Sequence, residues 1–274
     1  MPKKLGQHFL KNKAAIQKII ASLELKTGET VIEVGPGKGA LTIPLIEECR
    51  KVGCNFIGIE KDARLANQLM SYASATVNQF EILTGDALKI LPDLTEKLKT
   101  DNWKLVGNIP YYITGKLLRV LSELNPPAGG KPALTILMIQ KEVAERIIAE
   151  PPRMNLLSAA TQFWAEPKIL MNLKSTDFDP APEVDSAIIT LRIKNQELRI
   201  KEAERYYKFI KIAFKQPRKT LLNNLSEGLA LSKTEGLGKN KAEITKILEQ
   251  IGLKPDIRPQ NLDIDMLKTL ANHF

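Results

Sequence analysis

Three glycines in alternate positions follow a short apolar segment, and this pattern restricts the fold more than any other in the chain. Residues 30–35 are predicted to be a buried strand, and the glycines are Gly35, Gly37 and Gly39. Glycines let the backbone turn sharply and approach a ligand closely. The spacing differs from the Gly-x-Gly-x-x-Gly of dinucleotide-binding loops. A strand that turns in this way into a helix predicts an open α/β sheet with a ligand at the strand's carboxyl end.

Strand and helix patterns alternate along the first two thirds of the chain. Further strands are predicted at residues 55–60, 104–107, 133–139, 168–173 and 186–193, and one more begins at residue 80. Helices are predicted at residues 14–25, 39–49, 113–124, 141–149 and 155–164, and one more begins at residue 63. This alternation is typical of a mostly parallel sheet covered by helices on both faces. The last two strands have no long helix between them, which favours an antiparallel addition at one edge.

The pattern changes after Lys194. Helices alone are predicted beyond it, at 203–214, 241–251 and 262–270. We therefore expect two domains, with residues 1–194 forming the α/β domain and residues 195–274 forming a small, all-helical domain.

Composition and charge favour a globular protein with a polyanionic partner. The chain has 274 residues, of which 43% are hydrophobic and 26% charged, so it can bury a core. Its net charge is +9, with basic clusters in residues 1–26 and 199–219, which favours nucleic acid first and an anionic membrane second. The longest apolar run, 133–139, is too short to cross a bilayer, and the start lacks a signal-peptide core. We expect a cytoplasmic protein without membrane association.

Cysteine and histidine are too scarce to build a metal site or a thiol-based catalytic pair. The chain contains only Cys49, Cys54, His8 and His273. They lack the spacing of a zinc site. We expect reduced thiols and no metal cofactor.

Acidic residues mark the ends of three predicted strands. Glu33 precedes the first glycine, Glu60 ends the second strand and Asp86 follows the third. The carboxyl ends of parallel strands meet at one edge, so the three carboxylates are expected to line one crevice, with Glu60 placed to hold ribose hydroxyls. S-adenosylmethionine fits this crevice better than a pyrophosphate does, because it carries a sulfonium, an amino group, a ribose and an adenine.

The segment Asn108-Ile109-Pro110-Tyr111 follows the fourth strand. Because proline is excluded from a central strand, the chain leaves the sheet here and Asn108 lies over the same crevice. An exocyclic base amine is a poor nucleophile, since its lone pair is delocalised. The Asn108 oxygen and a nearby backbone carbonyl can accept its two N–H groups, while Tyr111 stacks on the base. The alternative is a plain turn with Tyr111 packed on the core, and Tyr112 is interpreted as a packing residue.

Together these residues resemble the ribosomal RNA adenine N6-dimethyltransferase family that acts on the small subunit. The resemblance covers nearly the whole chain in the family's order. It is carried by residues 5–10, 33–42, 60, 85–88, 108–114, 140–146, 178–187, 217–225 and 258–262. It implies a Rossmann-like domain that binds S-adenosylmethionine and releases S-adenosylhomocysteine, followed by a helical domain that contacts RNA or the ribosome.

The resemblance also implies roles for individual residues. The cofactor would contact His8, Leu10, Gly35, Gly37, Glu60, Asp86, Ala87 and Asn108. The catalytic set would be Asn108, Pro110, Tyr111 and Phe178. Tyr111 and Phe178 would sandwich the target adenine, although Phe178 has an alternative place in the core, and His8 has one as a helix cap. Arg218 and Lys219 would contact RNA phosphates.

Two segments depart from the family's pattern. Tyr112 stands where the family often has a small residue, which bears on the packing of the target loop. Residues 151–158 replace a Gly-Tyr-Gly-like stretch, which leaves the contacts of that loop open.

The implied activity is dimethylation of N6 on two adjacent adenosines in the 3′-terminal hairpin loop of 16S ribosomal RNA. The expected partner is the small ribosomal subunit, and nothing in the sequence demands more than a monomer. One alternative is the macrolide-resistance type of enzyme, which methylates large-subunit RNA. A second is a non-catalytic RNA-binding protein that acts in ribosome assembly or transcription.

Overall fold

Two sheets form the β-structure of the computed structural model, which describes residues 8–74, 80–98, 102–124, 130–194, 200–231 and 240–274. The strands are β1 (Phe9–Leu10), β2 (Thr30–Val34), β3 (Asn55–Glu60), β4 (Phe80–Thr84), β5 (Trp103–Asn108), β6 (Leu134–Gln140), β7 (Ala165–Leu173), β8 (Phe178–Asp179) and β9 (Ser186–Ile193). Seven of them form the main sheet in the order β4-β3-β2-β5-β6-β9-β7.

The main sheet is parallel from β4 to β6, and β9 joins it antiparallel to both β6 and β7. This confirms the predicted α/β class and its antiparallel edge. The chain adds β3 and β4 on one side of β2 and then places β5 on the other side. The strand order therefore reverses between β2 and β5, and in open α/β sheets a ligand crevice forms at the carboxyl ends of such a pair.

Eleven α-helices occur within the described ranges. They are α1 (Lys13–Leu23), α2 (Thr42–Val52), α3 (Ala63–Ser74), α4 (Ala87–Lys97), α5 (Thr114–Glu123), α6 (Lys141–Ile147), α7 (Leu156–Gln162), α8 (Ile200–Ala213), α9 (Leu221–Leu231), α10 (Lys241–Gln250) and α11 (Ile264–His273). The sequence did not predict α4 or α9. The proline within α4, Pro92, argues against a helix because it has no N–H to donate. In the structure Asp86 caps this helix by accepting the Leu88 N–H at 3.1 Å.

The smaller sheet ties the N-terminal segment to a distant loop. The strands β1 and β8 pair antiparallel, with Phe9 opposite Asp179 and Leu10 opposite Phe178. The Lys11 N–H donates to the Asp177 carbonyl at 2.9 Å and continues this pairing. The segment that precedes α1 is thereby fixed in place.

The two cysteines form a disulfide, where the sequence predicted reduced thiols. Helix α2 ends at Gly53, whose left-handed conformation turns the chain back on itself. The Cys49 carbonyl accepts the N–H groups of both Gly53 and Cys54. This tight turn brings the two cysteine Cα atoms to 4.7 Å, and both side chains are buried in the hydrophobic core.

A buried ion pair joins the amino ends of β2 and β5. The Lys104 Nζ lies 2.6 Å from Glu29 Oε2, and it also donates to the Glu24 carbonyl at 2.8 Å. The other Glu29 oxygen accepts from Asn102 Nδ2 at 2.8 Å. The carboxylate is thus both paired and hydrogen-bonded, as a buried charge requires.

The chain divides into two compact units. The first comprises residues 1–145 and 165–196, and the second comprises residues 146–164 and 197–274. The predicted boundary at residue 195 lies outside the described residues. Residues 146–164, which the prediction assigned to the α/β domain, belong with the helices because α7 packs on α8 and α11.

The second unit has its own aromatic and aliphatic core. The Tyr206 ring stacks on Phe163 with ring centroids 4.0 Å apart, and its hydroxyl donates to the Ala159 carbonyl at 3.0 Å. Phe214 is buried and Tyr207 partly buried in the same cluster. These aromatic side chains occupy core positions, as their helical spacing predicted.

No helix within the described part of the chain combines the length and apolar content needed to cross a membrane.

Candidate active site

A cavity opens at the carboxyl ends of the parallel strands, at the reversal of strand order. Its empty volume, including space open to solvent, is about 850 Å³. It is lined by His8, Phe9, Val34, Gly35, Gly37, Ile59, Glu60, Lys61, Gly85, Asp86, Ala87, Asn108, Ile109, Pro110, Tyr111, Tyr112 and Ile113. Most of the predicted site residues therefore meet in one place.

The glycine loop wraps tightly against the N-terminal segment. Gly35 and Gly37 have φ angles of +71° and +61°, which favour glycine. The Gly35 N–H donates to the Ile59 carbonyl at 3.0 Å, which holds the loop at the end of β3. A Cβ added at Gly37 would lie 2.8 Å from Phe9 Cε1. The loop and Phe9 can therefore touch only because residue 37 has no side chain.

Glu60 is an organising carboxylate of the cavity. Its side chain is only 4% exposed. One oxygen accepts the Gly37 N–H and the other accepts the Asp62 N–H, both at 2.8 Å. A carboxylate oxygen has more than one acceptor site, so each oxygen can accept a further hydroxyl. The carboxylate shapes the glycine loop and keeps capacity for a ribose.

Asp86 stands at the start of α4, next to Ala87, and lines the same cavity. One of its oxygens caps the helix, and the other lies 3.1 Å from Lys61 Nζ. Burial would raise the pKa of Asp86, but the hydrogen bonds from Lys61 and from the Leu88 N–H outweigh burial and hold that pKa below its ordinary value. Asp86 is therefore a stable anion at neutral pH. Lys61 was not among the predicted site residues, although its position directly after Glu60 was a usable signal.

Asn108 ends β5 and contacts the N-terminal segment. Its Nδ2 donates to the His8 carbonyl at 2.5 Å. This contact fixes the orientation of the side-chain amide and leaves Oδ1 as an acceptor. His8 donates from Nδ1 to the Pro180 carbonyl at 2.8 Å. The alternative role of His8 as a helix cap is not adopted, since Asn12 caps α1.

Tyr111 begins a 3₁₀ turn directly after Pro110. Its hydroxyl lies 2.8 Å from the Ser186 Oγ, and its ring lies nearly parallel to the His8 ring with centroids 6.2 Å apart. Both contacts restrict the ring. Tyr111 lines the cavity, so the alternative interpretation, a plain turn with the ring packed on the core, does not describe it.

Tyr112 does not lie where the sequence predicted. It was expected to be a packing residue, yet 61% of its surface is exposed. It also lines the cavity. The direction of a side chain on a one-turn helix depends on the turn's orientation, which periodicity does not reveal.

Two predicted site residues lie in the core instead of the cavity wall. Leu10 and Phe178 face each other across the β1–β8 pair, and Phe178 is only 2% exposed. Both belong to the hydrophobic cluster of the α/β unit. This is the alternative that the sequence left open for Phe178. In this arrangement Phe178 is not placed to stack on a base in the cavity.

Glu33 is buried within β2 and does not line the cavity. It was expected to share the crevice with the other two acids. Burial raises the pKa of Glu33 to about 8, repulsion from Glu60 adds to the rise, and the Thr42 hydroxyl opposes it. Its Oε2 has no hydrogen-bond partner. Glu33 is therefore mainly protonated at neutral pH.

The predicted phosphate contacts lie in the helical unit. Arg218 is exposed, and Lys219 Nζ lies 2.6 Å from Glu227 Oε1. Of the pair, only Lys219 is held by an acidic neighbour in the structure. Among the described residues, no group of His, Cys, Asp and Glu has the arrangement of a metal site.

Comparisons with known proteins agree on one family. A profile described as "Ribosomal RNA adenine dimethylase" matches residues 1–253. A protein of Dehalococcoides mccartyi named "Ribosomal RNA small subunit methyltransferase A" is 37% identical over 273 residues, which cover 98% of this chain and 87% of that protein. A Bacillus mycoides protein of the same name is 33% identical over 277 residues, which cover 98% of this chain and 90% of that protein.

Solved structures show the same fold over the whole chain. A dimethyladenosine transferase from Plasmodium falciparum superposes with a TM-score of 0.79 at 27% identity, covering 97% of both chains. The 23S rRNA methyltransferase ErmE superposes with a TM-score of 0.70 at 24% identity, covering 96% of this chain and 98% of that one. At that identity the second likeness speaks for the fold alone.

Proposed function

The chain belongs to the ribosomal RNA adenine dimethylase family, and from this premise we propose that it dimethylates N6 of two adjacent adenosines in the 3′-terminal hairpin loop of 16S ribosomal RNA. It is an S-adenosylmethionine-dependent rRNA (adenine-N6,N6-)-dimethyltransferase. The single observation that carries the proposal is the tethered amide of Asn108, held at 2.5 Å by the His8 carbonyl beside Tyr111 in one cavity. The relatives named for the small subunit favour that substrate over large-subunit RNA.

The cavity residues fit the methyl donor. S-adenosylmethionine supplies an electrophilic methyl group on a sulfonium when bound. Glu60 keeps acceptor capacity for ribose hydroxyls on both oxygens, each of which already receives one backbone N–H. The Asp86 carboxylate is ionised and can accept from an exocyclic amine, and Gly35 and Gly37 admit a ligand close to the backbone.

Two acceptors can orient the target amine. The first is Oδ1 of Asn108, which the contact made by Nδ2 leaves available as an acceptor. The second is the Pro110 carbonyl, which accepts the Ile113 N–H at 3.0 Å and keeps a second lone pair. Two N–H groups held in this way would direct the nitrogen lone pair toward the methyl carbon. Orientation of this kind raises the rate by removing rotational freedom before the reaction.

Tyr111 would supply the stacking surface for the adenine. Its ring is restricted by the Ser186 hydroxyl and by the His8 ring. A stacked base is held in the plane in which the two acceptors can reach its amine. Bases in an RNA loop are already partly unstacked, so bringing one into the cavity costs less than it does from a duplex.

The chemistry requires no strong base from the chain. The N6 nitrogen forms a bond to the methyl carbon, the carbon–sulfur bond breaks, and its electron pair goes to sulfur. The excess proton on nitrogen passes to water. A second transfer to the same base requires the site to accept a monomethylated amine and to exchange the spent cofactor between turnovers.

We also propose a cellular role for this activity. We place the protein in small-subunit biogenesis in the cytoplasm, acting as a monomer. Arg218 and Lys219 of the helical unit would contact RNA phosphates. A purely non-catalytic RNA-binding role is disfavoured, because Glu60, Asp86, Asn108 and Tyr111 all line the same cavity.

Transfer of a labelled methyl group tests the proposal. Purified protein and labelled S-adenosylmethionine are incubated with unmethylated small subunits and, separately, with large-subunit RNA. We expect label on the small subunit alone. Label on large-subunit RNA would move the protein to the resistance type, and intact binding of S-adenosylhomocysteine with no label on either substrate would favour the non-catalytic role.

A further inference from the structure

Tyr112 combines two properties that the proposed reaction does not use. Its side chain is exposed, at 61%, and it also lines the cavity. Single exposed apolar side chains are common and carry no meaning by themselves. An exposed ring at the mouth of a cavity that would receive a nucleic-acid base is a different case, because such rings can bind unstacked bases.

The backbone beneath Tyr112 is fixed. The Ile113 N–H donates to the Pro110 carbonyl at 3.0 Å, and the Thr114 N–H donates to the Tyr111 carbonyl. In a 3₁₀ turn successive side chains diverge by about 120°, since there are three residues per turn. Tyr111 and Tyr112 therefore point in different directions, and only Tyr111 is held by Ser186. The two rings can serve two different bases.

We infer that Tyr112 is a positioning residue that stacks on the base flanking the target adenosine. The inference rests on the proposed function, in which the substrate has two adjacent adenosines. When one adenosine enters the cavity, its neighbour stays at the mouth, where the Tyr112 ring lies. Stacking there holds the waiting base and thereby strengthens binding of the small subunit.

Lys61 adds a charge suited to the same nucleotide. It lines the cavity with Tyr112, its side chain is half exposed, and its Nζ lies 3.1 Å from Asp86 Oδ2. Lysine contacts phosphates as a flexible point charge. A ring and a cation at one mouth match a base and the phosphate that links it to its neighbour.

The cofactor is a less suitable occupant for the Tyr112 ring. Small-molecule sites cover most of their ligand's surface, so their walls are themselves covered. Of the residues expected on the cofactor side, Glu60 is 4% exposed, Ala87 is 7% exposed and the Asp86 side chain is 33% exposed. Tyr112 is more open than these residues, at 61%.

Steady-state kinetics on unmethylated small subunits test the inference. Tyr112→Ala should raise the KM for the subunit about ten-fold, the size expected from loss of one stacked base. Its kcat and its affinity for S-adenosylhomocysteine should stay near the wild-type values. Tyr112→Phe keeps the ring and should restore the wild-type KM. Met70→Ala is the matched control, because Met70 is exposed on α3 of the same unit and does not line the cavity.

Two results would overturn the inference. An unchanged KM in Tyr112→Ala would make the ring a plain surface feature. A parallel loss of affinity for S-adenosylhomocysteine would assign the ring to the cofactor instead. Failure of the proposed function is distinguishable from both, because the wild-type protein itself would then leave the small subunit unmethylated.

Discussion

The side-chain amide of Asn108 donates to the backbone carbonyl of His8 at 2.5 Å, across 100 positions of sequence. This contact makes the N-terminal segment part of the cavity wall. It also decides which atom of the amide is left to meet a substrate. The nitrogen is engaged, so the oxygen is the acceptor.

Loss of this amide should separate binding from turnover. Asn108→Ala removes the acceptor for the target amine, and we expect kcat to fall by about a hundred-fold, since orientation of the nucleophile is lost. Affinity for S-adenosylhomocysteine, measured by calorimetry, should fall by less than about ten-fold, or 1.4 kcal/mol. Asn108→Asp keeps an acceptor but sets an oxygen against the His8 carbonyl, so it should also be impaired. Full activity in either variant would contradict the assigned role.

A methyl group at the glycine loop should damage cofactor binding. In Gly37→Ala the added Cβ would lie 2.8 Å from Phe9 Cε1, at a φ of +61°. We expect affinity for S-adenosylhomocysteine to fall by at least about ten-fold. Gly28→Ala is the control, because Gly28 also has a positive φ, of +80°, but has no atom within 4 Å of an added Cβ. Equal losses in the two variants would show that backbone strain alone is responsible.

Protonation of Glu33 should make stability depend on pH. The folded-state pKa is raised from 4.5 to about 8, so the folded state holds a proton that the unfolded state has lost between these values. The contribution of Glu33 to stability is therefore greatest below pH 4.5 and declines up to pH 8, by as much as about 1.4 kcal/mol per pH unit. Glu33→Gln should remove this decline. Thermal unfolding of both proteins from pH 5 to pH 9 measures the difference, and parallel curves would contradict it.

The ion pair at the amino ends of β2 and β5 should affect stability without affecting the cavity. Lys104→Met leaves the buried Glu29 carboxylate without its cation, at a cost of about 3–5 kcal/mol in unfolding free energy. A second change, Glu29→Gln, should recover much of that loss because it removes the unpaired charge. Urea unfolding measures both variants. Affinity for S-adenosylhomocysteine should hold throughout, and its collapse in the folded variants would show that the two ends of the sheet are coupled.

The regular parts of the fold were predictable because their signals are local. The strands Asn55–Glu60 and Ser186–Ile193 have the predicted bounds, since each is a continuous run of strand-forming residues between turn signals. The β1–β8 pair was not predictable. Two strands of two residues each have no periodicity, and their partners lie far apart in sequence.

The site residues likewise include some that local signals predict and some that they do not. Glu60, Asp86 and Asn108 come together because each ends a parallel strand or follows one directly, and such ends share one edge of a sheet. Phe178 lies in the core because pairing with Leu10 turns it inward, a contact that no local pattern encodes. The exposure of Tyr112 depends in turn on how one 3₁₀ turn is oriented.

Identification of the product most directly tests the central claim that one cavity presents adenine N6 to the methyl donor. Unmethylated small subunits are incubated with the protein and S-adenosylmethionine, and the RNA is digested to nucleosides for mass spectrometry, with fragment mapping of the modified positions. The account predicts N6,N6-dimethyladenosine at two adjacent adenosines of the 3′-terminal hairpin loop. Methylation of another atom or another base would contradict it.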